Sequence, residues 1–190
     1  MDASHYAAVE TTLDGRRLHI RALRPDDRDR LRNHFMALSD QAKIFRFHGV
    51  KRSLSDAELD RLTRLDFVRH VALVATFDEA LDAPLIGVGR YIVTPAHADR
   101  AEVAFAVLDA FQGHGIGSRL LHHLALIAAA HGIREFQAEV LDANRAMLEV
   151  FADSGLPVIE RSSRFGVTHA VFSIAQRTPP RWAKPAAPHS

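Results

Sequence analysis

Residues 110–125, AFQGHGIGSRLLHHLA, constrain the fold more than any other stretch of this chain. Glycines at 113, 115 and 117 alternate within five residues, and a leucine-rich run follows at once. Glycine is unfavourable at a helix start that could carry side chains, so the pattern asks for bare backbone there. The preceding AEVAFAVL, 101–108, alternates as a strand, and the run from about Ser118 to His131, stopped by Gly132, reads as a helix. A strand, a glycine turn and a helix start together make an anion site. The first helical N–H groups have no partner within the helix, and the macrodipole adds positive charge at the same end. A pyrophosphate can rest on those amides only where no Cβ intervenes. A tight turn without a ligand would need only one glycine.

Two phosphate-binding patterns fit poorly. A nucleotide-triphosphate loop requires Gly-Lys-Ser/Thr, and Gly117-Ser118 has no lysine. The dinucleotide fingerprint G-x-G-x-x-G fails at Ser118, although the acidic Glu139 lies at a suitable distance. Three meandering strands precede the loop where that fold would place βαβ units. A dinucleotide-binding protein therefore stays open as an alternative.

The other elements follow from periodicity and caps. RRLHIRAL, 16–23, is a strand, and RPDDRDRLRNHFMAL opens a helix at Pro25. SDQAKIFRFHGVKRSL reads as loop or short helix. Ser55 and Glu58 form a capping box for a helix over 55–66. HVALVATF and PLIGVGRYIV are strands, as is REFQAEVL. NRAMLEVFADSG, 144–155, is a helix capped by Asn144, and two strands follow around Arg164 to Gly166. The order predicts an α/β (α+β) fold, with a central, mixed, mostly antiparallel twisted sheet of six to seven strands flanked by about four helices. One domain over 16–176 is expected, with an N-terminal extension at 1–15 and a proline-rich mobile tail at 177–190. That tail is expected to be dispensable, with a reservation for the lone Trp182, which could dock on the domain or on a second subunit.

Composition narrows function by exclusion. Lys plus Arg number 24 against 23 Asp plus Glu, a net charge of +1, so no bulk basic surface for nucleic acid is expected. There is no cysteine, hence no thiolate nucleophile or thiolate metal site. Twelve histidines include the adjacent His122 and His123, which point to different helix faces, and no metal-ligand spacing occurs. No apolar run reaches the roughly 18 residues of a membrane span, and no signal pattern opens the chain. A cytoplasmic location without membrane, metal or nucleic-acid partners is expected.

The segment Gln112-Gly113-His114-Gly115-Ile116-Gly117 matches Q/R-x-x-G-x-G/A in full. With this loop, the element order and NRAMLEVFADSG downstream, the chain resembles the GCN5-related N-acetyltransferase (GNAT) superfamily over roughly 16–175. RFHG and RAEVAFAVLDAFQGHGIG look most like the catalytic domain of bacterial protein-lysine acetyltransferases. No additional regulatory or CoA-binding domain, which those proteins often carry, is expected here. The resemblance implies the GNAT fold and acetyl-CoA as cosubstrate. Its pyrophosphate would lie on the amides of 112–117, with Ser118 beside them, and its pantetheine arm along Val107 and Leu108, near Asn144. It also implies an amine acceptor, a protein lysine ahead of a small-molecule amine. A non-catalytic acyl-CoA sensor is the further alternative. A homodimer is entertained.

An amine nucleophile needs a proton acceptor. With an ordinary lysine pKa near 10.4, forming the neutral amine at pH 7 costs roughly 4.6 kcal/mol. Glu102 stands in the strand before the loop, on a face shared with the small Ala104 and Ala106. A charge within an apolar strand is exposed, paired or used; the resemblance favours use as the general base. Many superfamily members protonate the leaving thiolate with a tyrosine where this chain has Phe151, so that role is vacant here. Arg119 could approach a phosphate. KIFRFHGVKR would wall the acceptor site, with Arg164 to Gly166 facing it.

Overall fold

A computed structural model describes residues 1–78, 80, 82–180 and 182. Among them, eight strands form one sheet: β1 (Ala7–Thr11), β2 (Arg17–Ala22), β3 (His70–Thr76), β4 (Gly87–Val93), β5 (Arg100–Val107), β6 (Glu135–Leu141), β7 (Val158–Arg164) and β8 (Val167–Ser173). The spatial order is β1-β2-β3-β4-β5-β6-β8-β7. Every neighbouring pair is antiparallel except β5 with β6. The α-helices are α1 (Arg28–Ala37), α2 (Asp40–Phe47), α3 (Asp56–Thr63), α4 (Ile116–Ala130) and α5 (Arg145–Ala152).

The sheet has one strand more than the six to seven expected, and five helices stand where about four were. The additional strand is β1, within the stretch expected as an extension. It pairs with β2 through a turn in which Gly15 adopts φ +83°. Its burial alternates exposed with half-buried, so no residue in it is fully covered and its sequence carries little apolar signal. The fifth helix is α2, the short helix that the sequence allowed beside a loop for SDQAKIFRFHGVKRSL. Ser39 caps it by accepting from the Ala42 N–H, and Ser39 itself donates through N and Oγ to the Asp109 carboxylate, 3.1 and 2.8 Å away. That tie spans seventy residues and lies beyond the reach of a local pattern. The capping box of Ser55 and Glu58 and the Asn144 cap form as expected.

Two apolar layers cover the sheet. On one face α4 presents Leu120, Leu121 and Leu124 to Val71, Leu73, Tyr91, Val103 and Phe105. On the other, Leu31 and Phe35 of α1 and Leu59 of α3 pack on Ala72, Val74 and Val88. β3 is buried on both faces, which is why it reads as a continuous apolar run. Each fully buried leucine contributes about 1.5–3 kcal/mol.

Strands β5 and β6 position the site by separating. They pair only from Arg100 with Glu135 to Glu102 with Gln137, although β5 continues to Val107 and β6 to Leu141. Beyond Glu102 the sheet is open, and α5 lies over the gap. In the segment expected as a tail, the Thr178 N–H donates to the Gly155 carbonyl at 2.8 Å, Pro180 is buried and Trp182 packs against α4. Residues 181 and 183–190 lie outside the described residues.

Candidate active site

A cleft of about 840 Å³ runs from the opened sheet to the start of α4. It is lined by Ala106 and Val107 of β5, the loop residues Gln112, Gly113, Gly115, Ile116, Gly117 and Ser118, and Asn144 and Met147 of α5. The N–H groups of residues 113–118 bond no carbonyl of the turns or caps, so the amides at the head of α4 stay available to an anion. The Gln112 side chain donates Nε2 to the Val107 carbonyl at 3.2 Å, tying the loop to the strand end. Asn144 is buried, and its Oδ1 is engaged by the Met147 N–H.

Two of the expected cofactor contacts do not line this cleft. The Leu108 N–H is engaged by the Ile86 carbonyl at 2.9 Å. The His114 ring turns to the Gln112 carbonyl through Nδ1 and approaches Asp14 at 3.7 Å through Nε2.

The three glycines serve three different needs. Gly113 has φ +77° and nothing within 4 Å of where a Cβ would stand, so its side faces open space. Gly115 caps α4 in the left-handed region, and a Cβ there would collide with Nη1 of Arg119. Gly117 is helical, and a Cβ would stand 3.2 Å from the Phe105 ring. The left-handed backbone by itself favours glycine at 113, whereas protein packing explains much of the need at Gly115 and Gly117. Arg119 is not the exposed cation its place on the helix suggested: it is buried at 4% exposure and turned away from the cleft.

A second cavity of about 270 Å³ adjoins the first and shares Phe45, Arg46, Phe105 and Met147 with it. Glu102 lines it, on the sheet face shared with Ala104 and opposite Val103 and Phe105. Phe47 and His48 line it too, so the residues of KIFRFHGVKR do flank Glu102. Arg164 to Gly166 form the turn between β7 and β8 and line neither cavity. Phe151 lies on the wall, stacked on Phe172 with centroids 4.5 Å apart.

Sequence reasoning missed the cations near Glu102. Arg46 has no ion pair within 4 Å among the described residues, and burial lowers its pKa, with the Glu102 charge opposing that shift. Arg90 sits behind it, buried, donating to His70 Nε2 at 3.1 Å and to the Leu62 carbonyl at 3.3 Å. Burial, reinforced by the Arg46 charge, brings Arg90 down to about 9. The Arg90–Ala104 pair in the β4–β5 register places this cation one residue pair from Glu102 on the same face; only the sheet register discloses that. Glu139, considered for a dinucleotide ribose, faces His48 at 3.6 Å and His169 at 3.3 Å and lines the smaller cavity. No group of three or more metal-ligating side chains occurs among the described residues.

Residues 36–156 match the family described as Acetyltransferase (GNAT) family. The chain belongs to the GNAT acetyltransferase family, and with it to the acyl-CoA-dependent N-acyltransferases. Acetyltransferase PA5475 of Pseudomonas aeruginosa is 34% identical over 142 residues, 75% of this chain and 76% of that protein. Acetyltransferase Pat of Mycolicibacterium smegmatis is 34% identical over 136 residues, 72% of this chain but only 40% of that protein. The solved GNAT domain of S. lividans PAT superposes with a TM-score of 0.79 at 38% identity, covering 88% of this chain and 96% of that one. The glycine loop and the opened part of the sheet both lie inside the matched segment. No helix among the described residues is long and apolar enough to cross a membrane.

Proposed function

We propose that the protein moves the acetyl group of acetyl-CoA onto the Nζ of a protein lysine by direct attack, with Glu102 as general base. The observation that carries this reading is the junction of the two cavities. The larger ends on the free amides of the glycine loop, the smaller holds Glu102, and Arg46, Phe45, Phe105 and Met147 wall both. A thioester whose diphosphate rests on the loop would bring its carbonyl carbon to that junction. In this reading Glu102 takes a proton from the ammonium group, and the amine adds to the carbonyl carbon. The tetrahedral centre then collapses with cleavage of the C–S bond. Phe151 offers no hydroxyl, so the thiolate takes its proton from water or from the protonated nitrogen of the tetrahedral intermediate, which must lose it to become the amide; with a thiol pKa near 8.5 as reference, the thiolate is already a competent leaving group.

The lysine acceptor rests on the likeness of 101–117 to bacterial protein-lysine acetyltransferases and on relatives named Pat. In the same reading the protein acts in the cytoplasm. Acetyl-CoA incubated with lysate proteins, and separately with a panel of small amines, tests the acceptor by mass spectrometry. New acetyl-lysine in wild type and its loss in Glu102→Gln support the reading. Turnover confined to small amines would replace the protein acceptor.

A further inference from the structure

Arg119 is the fourth residue of α4, and its side chain folds back beneath the glycine loop. Its Nη1 donates to the Gly115 carbonyl at 3.1 Å, and its own backbone N–H donates to the same oxygen at 3.2 Å. The Gly115 carbonyl and the Ile116 N–H belong to one planar trans peptide and point in opposite directions. Holding that carbonyl down therefore aims the Ile116 N–H up, and both residues line the cofactor cleft.

What holds Arg119 is not a close ion pair. Its Nε has no hydrogen-bond partner among the described residues, and the nearest carboxylate oxygen, Glu10 Oε2, is 4.0 Å away. The other Glu10 oxygen is taken by His123 Nε2 at 3.1 Å, and His123 Nδ1 is engaged by the Tyr6 hydroxyl. The guanidinium is covered instead by the Trp182 ring, 4.5 Å from Cζ to centroid, an arrangement in which the ring face attracts the cation. Trp182 is itself seated edge-on against His122 at 5.3 Å. A residue far from the cleft thus presses on the guanidinium that orients the loop.

We propose that Arg119 is a positioning residue for the pyrophosphate loop and that Trp182, by packing over it, sets the affinity of the cleft for the diphosphate part of acyl-CoA. The inference rests on the reading that the loop receives that diphosphate. It also gives a part in cofactor binding to Trp182, the residue set apart from a tail otherwise expected to be dispensable.

The test uses Trp182→Ala and the conservative Trp182→Phe in the full chain, with two donors. One is acetyl-CoA; the other is S-acetyl-N-acetylcysteamine, a thioester that lacks the nucleotide and its diphosphate. In Trp182→Ala the Kd for acetyl-CoA should rise about tenfold, within the usual range of coupling between sites. The kcat/KM with the truncated thioester and the KM for the amine should stay at wild-type values, and Trp182→Phe should recover most of the loss. Trp182 is the sole tryptophan of the chain, so its fluorescence reports on the same contact without mutation. By reciprocity, acetyl-CoA should protect it from acrylamide quenching. Unchanged acetyl-CoA affinity in a folded Trp182→Ala protein overturns the inference, as does an equal loss with both donors. Should Trp182→Ala fail to fold, unchanged quenching of wild type on saturation with acetyl-CoA overturns it. Wild type that does not bind acetyl-CoA overturns the functional reading itself; wild type that binds while the variant binds equally well overturns only the role of Trp182.

Discussion

Gly117 brings α4 so close to β5 that a Cβ on it would stand 3.2 Å from the ring of Phe105. Gly113, four residues earlier, has φ +77° and open space on the same side. The two should respond differently to substitution. Gly117→Val overpacks the α4–β5 contact and should lower stability by about 1–3 kcal/mol. Gly113→Ala meets no atom, but its left-handed backbone costs about 1–2 kcal/mol for an L residue, and acetyl-CoA binding should weaken while the fold remains. Urea unfolding and calorimetric titration of both variants check this. Equal losses of affinity and stability in the two would show that a single requirement, not two, governs the loop.

Glu102→Gln keeps the size of the side chain and removes the proposed proton acceptor. Acetyl-CoA affinity should be nearly unchanged, because Glu102 lines the smaller cavity and not the cofactor cleft. Loss of a general base typically lowers the rate by about 10²–10⁴-fold. The deficit should shrink as pH rises from 6 to 10, since more of the acceptor amine arrives already neutral. Measurement of kcat/KM over that range decides; a deficit constant in pH assigns Glu102 to structure instead of proton transfer.

Phe151→Tyr tests the leaving group. Phe151 is 5% exposed, stacked on Phe172 and tilted against Phe105. A hydroxyl there should change kcat by less than about fivefold, the scale of a neutral hydrogen bond's net contribution of about 1 kcal/mol. A tenfold gain would mean that thiolate protonation limits the wild-type rate.

Histidines held neutral by burial predict an acid-labile fold: the buried His123 and half-buried His70 lead, and burial lowers His34 and His122 as well. His123 and His70 are each brought from 6.5 to about 4, first by burial and then by the charges of Arg119 and Arg90. A histidine depressed on folding contributes stability that is full above its unfolded pKa and lost as pH falls through its folded one. Between pH 7.5 and 5 the two should together withdraw about 2–4 kcal/mol, the lower figure if solvent screens the half-exposed His70. Urea midpoints across that interval measure the slope. His123→Gln, which cannot titrate, should flatten it in part, with His70, His34 and His122 carrying the remainder; a wild-type midpoint independent of pH would remove the histidines from the account.

Much of the site is legible in the chain itself because the controlling forces are local. The glycines at 113 and 115 mark left-handed backbone, and the caps at Ser55 and Asn144 act within three residues. The alternation of Ala101, Val103 and Phe105 against Glu102 and Ala104 assigns the two faces of β5. These are steric and periodic rules that operate over a turn or a strand. Tertiary structure alone decided where Arg119 points, that Arg46 and Arg90 stand near Glu102, and that residues 7–11 form a strand; for 40–47 it selected the short helix over the loop that the sequence equally allowed. Arg119 is held by residues more than fifty positions away on either side, at Glu10 and Trp182. α2 is capped through Ser39 from Asp109, and the Arg90–Ala104 neighbourhood exists only through the β4–β5 register. A contact closed over so many residues leaves no trace in local periodicity, because either partner alone has the sequence of an ordinary solvated side chain.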